Sequence, residues 1–130
     1  MALNKSPWMG NIGGASKPLI IMGKVQAGAT QAIKRGEICT FNETAGYFIP
    51  ANAVADGKYA LAICNEEQKA EDLARYIEFI AIRSGDVFEF PLAAARAVAI
   101  GDTFTLTASD SQTLTYSATA SPVAFAVGKG

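Results

Sequence analysis

The chain has 130 residues, half of them hydrophobic, and a formal net charge of −1. That length is one domain with one core. With no histidine and only two cysteines, Cys39 and Cys64, a Ser-His-Asp or Cys-His nucleophile and a disulfide framework are excluded, and the near-neutral charge leaves no global basic field for nucleic acid.

The first eighteen residues, MALNKSPWMGNIGGASKP, mix two prolines with three glycines, a composition that breaks helices and strands. They predict an extended N-terminal arm over 1–18, followed by a β domain over 19–130. The arm still carries Leu3, Trp8, Met9 and Ile12, which a purely disordered tail rarely keeps. Either the arm orders against a partner, or Trp8 folds back onto the domain's own core. Residues 1–36 hold Lys5, Lys17, Lys24, Lys34 and Arg35 and no acid. Such an asymmetry fits an arm that docks on an acidic surface, or a solvated polar leader. No signal peptide opens the chain and no apolar run reaches membrane-spanning length, so use without export or membrane insertion is expected.

From Leu19 onward the pattern is β. Residues 19–25 hold a short apolar run ending at Gly23, and Gly28 and Thr30 suggest a turn. One local pattern then occurs three times: Gly36-Glu37-Ile38-Cys39-Thr40-Phe41, Gly85-Asp86-Val87-Phe88-Glu89-Phe90 and Gly101-Asp102-Thr103-Phe104-Thr105-Leu106. Glycine supplies a turn conformation that a Cβ resists, and the acid can accept from nearby backbone amides. After each turn, alternate residues share a face: Cys39 with Phe41, Phe88 with Phe90, Phe104 with Leu106. Three turn-to-strand passages of one type predict a meander or barrel of short strands. Two hairpins are expected, one over 38–50 with its turn at 42–46, the other over 103–116 with its turn at 107–111.

Residues 59–64 (YALAIC) read as a further strand. Residues 65–75 (NEEQKAEDLAR) are either a turn or two of helix or a charged excursion between strands. Residues 75–83 (RYIEFIAIR) suit a strand buried on both faces. Residues 93–99 (AAARAVA) read as one helical turn or a linking loop, and 122–127 (PVAFAV) as the last strand. The expected fold is therefore mainly β, a small single-domain β-barrel or β-sandwich with at most one short helix.

Chemistry is sparse. Cys39 and Cys64 stand in apolar runs and read as buried structural residues. The acid pairs Glu66/Glu67, Glu71/Asp72 and Asp86/Glu89 lack the loop context of a calcium site or a glycosidase, and read as solvated charge. Gly10, Gly13 and Gly14 lack the strand, helix and Lys-Ser/Thr of a phosphate loop. Tyr47, Phe48, Tyr76 and Phe79 suggest a base-stacking barrel, but the body after residue 36 is acidic, against that reading. No catalytic residue, metal site or cofactor is assigned.

Residues 36–41, 59–64, 75–90, 99–102 and the closing Ala126-Val127-Gly128 together resemble the small head decoration (capsid cement) proteins of tailed bacteriophages. The resemblance covers roughly residues 20–130. It implies a compact β-barrel or sandwich without enzymatic activity, docked on the outer surface of the virion. The major capsid protein is the implied partner, with copies of the chain itself, a homotrimer being favoured, and neither nucleic acid nor membrane. It also implies synthesis in the host cytoplasm and capsid stabilisation as the function. Leu3, Lys5, Trp8, Met9, Ile12 and Lys17 are then the expected interface residues. The alternatives are another virion module, such as a fibre base or tail component, and, further off, a single-strand nucleic-acid-binding barrel.

Overall fold

The computed structural model of the protein describes residues 7–25, 33–44, 46–53, 61–66, 76–119 and 122–128. They form ten strands: β1 (Trp8–Asn11), β2 (Leu19–Lys24), β3 (Ile38–Asn42), β4 (Tyr47–Pro50), β5 (Leu61–Cys64), β6 (Tyr76–Ala81), β7 (Asp86–Phe88), β8 (Thr103–Thr107), β9 (Asp110–Tyr116) and β10 (Ala124–Phe125). No helix occurs among the described residues. The segment 65–75 is described only as far as Glu66, and the turn expected at Gly28 and Thr30 lies outside the described residues. Residues 93–99 are irregular, the linking loop rather than the helical turn.

The largest sheet has five strands in the order β2-β6-β5-β3-β4, each neighbouring pair antiparallel. Its edge strands meet through a parallel bridge between Val25 and Phe48, so the sheet curls back on itself. Period-two alternation gives it two buried faces. The inner face holds Val25, Cys39, Ala62, Cys64, Ile77 and Phe79, with Ile21 and Phe48 against them. The outer face presents Ile38, Ile63 and Ile80, which pack with Leu106, Trp8, Phe88 and Phe90. Those last side chains come from the three-stranded sheet β10-β8-β9, the two-stranded sheet β1-β7 and the residues after β7. Phe79 and Ile80 are adjacent, both fully buried and in different cores, so β6 is buried on both faces at its centre, as its sequence predicts, while Tyr76 at its start stays exposed.

Closure of the curled sheet depends on Gly23. A Cβ at that position would lie 2.6 Å from the ring of Phe48 and 2.7 Å from that of Phe79. The two rings stack with centroids 4.4 Å apart. Phe41 reaches Phe48 edge-on but lies at the open end of the sheet and stays partly exposed, unlike its face partner Cys39.

The hairpin β3–β4 forms as expected. The second differs in detail: β8 and β9 extend to Thr107 and Asp110, leaving a two-residue turn. The extra residues become a bulge, because Leu106 pairs with Leu114 while Thr107 pairs with Asp110. Asp110 holds the bulge by accepting from the N–H of Gln112 at 3.0 Å and the hydroxyl of Thr113 at 3.0 Å.

The three glycine-acid motifs are one turn built three times. Gly36, Gly85 and Gly101 have φ of 92°, 86° and 92°, the left-handed values that a type II turn requires at its third position. Each turn closes with a 3.1 Å bond from the acid's N–H: Glu37 to Lys34, Asp86 to Arg83, Asp102 to Ala99. The acid side chain then accepts from the N–H of the first turn residue, at 2.9, 2.8 and 3.0 Å respectively. Every turn is also tied to another segment: Gly36 N–H to Cys64 O, Ile12 N–H to Gly85 O, Gly101 N–H to Ala126 O, all at 2.8 Å.

Candidate functional site

The second turn is where the leader joins the body. Strand β1 pairs antiparallel with β7, Trp8 opposite Phe88 and Asn11 opposite Asp86, with a register shift at Gly10. Of the two places open to Trp8, the structure takes the fold-back. Its ring packs on the outer core, and its indole N–H donates to Asp86 Oδ1 at 3.1 Å. At residues 8–11 the leader is therefore a strand of the body and not a free arm. β7 pairs with β1 along its edge, and Asp86 Oδ1 accepts the indole N–H.

Asp86 gathers the charge of this corner. Its Oδ1 also accepts from Asn11 Nδ2 at 2.9 Å and from Arg83 Nη2 at 3.2 Å, while Oδ2 takes the Arg83 backbone N–H. The carboxylate is wholly shielded from solvent. Burial by itself pushes the carboxyl upward; the bonds from Asn11, the Arg83 backbone, Trp8 and the Arg83 side chain outweigh it and hold the pKa at about 2. Arg83 Nη2 reaches on to the carbonyl of Lys17 at 2.7 Å, which fixes the chain just before β2.

The remaining expected interface residues fall in different settings. Met9 and Ile12 point to solvent, 61% and 70% exposed, and Lys17 is exposed. Leu3 and Lys5 lie outside the described residues. With Trp8 and Asn11 clamped to Asp86, Met9 between them and Ile12 after them face solvent, so the segment that contributes to the core also displays apolar groups.

The buried polar groups have internal work. Glu37 accepts from Ser111 Oγ at 2.6 Å and from the Lys34 N–H, joining the first turn to β9. Burial, with the nearby Cys64 and Glu37, pushes the Cys39 thiol well above the ordinary range. Burial likewise raises Cys64, to about 12. Neither thiol is poised as a nucleophile. No group of three or more metal-ligating side chains occurs among the described residues, and no helix there is long and apolar enough to cross a membrane.

What the surface does carry is apolar. Among the described residues twelve large hydrophobic side chains are exposed, including Ile20, Met22 and Tyr76 on β2 and β6, and Ile100, Phe125 and Val127 near β10. Sequence reasoning centred on the arm and passed over both groups. A signal was present in LIIMGK, where the outward positions of β2 are Ile20 and Met22 instead of polar residues.

No family model matches the chain, and no curated protein and no solved structure matches it either.

Proposed function

We propose that this protein is a capsid decoration protein: a non-enzymatic β module that binds the outer surface of a viral head lattice and reinforces it. The observation that carries the reading is the number of exposed large apolar side chains mounted on hydrogen-bonded strands. Scattered single hydrophobes are normal on a surface, but several of them on one sheet face are the mark of a protein-binding surface. The sequence resemblance to head decoration proteins supplies the identity of the partner. Many weak contacts repeated over a lattice give high avidity, which is what holding pressurised capsomers together requires.

The test is binding of the purified chain to undecorated capsids of the virus that encodes it, immature and expanded, followed by cryo-electron microscopy. Ordered density at fixed lattice positions, together with a raised temperature of head disruption, is the expected result. Absence of binding to both kinds of shell overturns the reading.

A further inference from the structure

We propose that the outward face of β2 and β6 is the surface by which this chain docks on its protein partner, and that the partner presents an apolar strip with carboxylates at its ends. The proposal deepens the decoration reading and rests on it for the class of partner.

The face follows from the register. Ile20, Met22 and Lys24 point away from the inner core that Ile21, Gly23 and Val25 line, and they pair with Ile80, Glu78 and Tyr76. Ile80 is covered by the second layer, but Met22 is 57% and Tyr76 60% exposed. Ile20 and Ile82 are exposed beside them. This is a short apolar stripe: Ile20 and Met22 lie about 7 Å apart at roughly 3.3 Å per residue, with Tyr76 and Ile82 exposed at the two ends of the neighbouring strand. Water-facing positions of an antiparallel sheet are ordinarily polar.

The charges around the stripe choose the occupant. Lys17 stands just before β2 and Lys24 at its end, both exposed and neither in an ion pair among the described residues. The acid on the face, Glu78, has its carboxylate engaged by the side-chain amide of Asn65. Arg83, near Lys17, is already paired with Asp86. Among the described residues the two lysines are the charges at the ends of the stripe, with Glu78 keeping its negative charge between them under the neutral amide of Asn65, and acceptors matching the two ends steer and orient the complex.

A second copy related by a two-fold axis does not fit this face. A two-fold axis lying along the stripe sets each lysine against its own equivalent. An axis across the stripe sets Lys17 against Lys24. Like charges meet at both ends either way, which disfavours the pairing. An anionic membrane fits poorly too, because surface recruitment of that kind uses clusters of about four to eight basic residues.

The test uses the full chain in three variants. Met22→Asp and Lys24→Glu alter the stripe at exposed positions, and Ala95→Asp alters an exposed position in the loop between β7 and β8. Affinity for expanded, undecorated capsids is measured by co-sedimentation at two salt concentrations, with circular dichroism melts to confirm folding. Met22→Asp is expected to weaken binding at least about thirty-fold. Lys24→Glu is expected to weaken it about ten-fold and to flatten its salt dependence. Ala95→Asp is expected to bind like the parent chain. If both stripe variants bind normally while the parent binds, the docking face is wrong and the decoration reading stands. If the parent chain does not bind capsids, both fall. Two further results overturn the proposal: stripe-dependent binding to vesicles of phosphatidylcholine with a quarter phosphatidylglycerol, and an oligomer that Met22→Asp converts to monomer in sedimentation velocity.

Discussion

Asp86 offers the sharpest test of how this fold is held. Replacing it by Asn keeps the size of the side chain but removes the charge. It also puts an amide NH₂ where one oxygen now accepts, among donors from Trp8, Asn11 and Arg83. The carboxyl falls from 3.8 to about 2 on folding. At about 1.4 kcal/mol per pKa unit, ionised Asp86 stabilises the fold by about 2 kcal/mol. The sign is fixed by the direction: a depressed folded value means the contribution is complete above pH 4 and disappears as pH falls through 2. Asp86→Asn should therefore lower stability at pH 7 by about 2–3 kcal/mol, and the melting temperature by roughly 10 °C. Urea titrations of both chains from pH 7 to pH 2 measure the gap directly, and effects of the other carboxyls cancel in the difference. The gap should narrow steadily below pH 4. A gap that is constant with pH, or below about 0.5 kcal/mol at pH 7, refutes the assignment of Asp86 as the clasp.

Other consequences are independent of this corner. Gly23→Ala places a methyl against Phe48 and Phe79, and should cost about 1–3 kcal/mol in a urea melt. Ser111→Ala leaves Glu37 Oε2 buried without its hydroxyl donor, for a loss of about 1–3 kcal/mol by the same measurement. The thiols of Cys39 and Cys64, buried and shifted upward, should react with an aromatic disulfide reagent only on unfolding. The labelling rate should then rise with urea along the unfolding limb, and fast stoichiometric labelling of the native chain would show the inner core, which holds both thiols, to be open.

The local features were legible in the sequence because their causes are local. A glycine followed by an acid specifies a type II turn within four residues, and all three copies form it. Likewise the double burial of β6 is written in its adjacent apolar residues. The position of Trp8 was not legible, because its partner Asp86 lies 78 residues away, and an apolar leader reads the same whether it meets its own core or another protein. Nor was the curl of the main sheet, which closes through Val25 and Phe48 only because Gly23 leaves room for two rings. The apolar face of β2 was hidden by an ambiguity of period. LIIMGK is apolar at both parities, and so is a strand buried on both sides; only the placement of the second layer decides which positions stay open.

That placement bears on how a module of this kind binds. A leader that remained disordered until docking would be immobilised on the partner, at about 0.5–1.5 kcal/mol for each ordered side chain. For residues 8–17 the ordering is done during folding. Asp86 clamps β1 through Trp8 and Asn11, and Arg83 holds the carbonyl of Lys17 at the mouth of β2. Met9, Ile12 and the outward face of β2 are therefore displayed from a frame already fixed. Under the proposed decoration role, folding and docking share one electrostatic knot. Loss of the Asp86 charge should loosen β1 first, and with it the start of β2. Capsid affinity of Asp86→Asn should then fall at temperatures where its main sheet is still folded by circular dichroism. Affinity that tracks global unfolding alone would show that β1 takes no part in presenting the docking face.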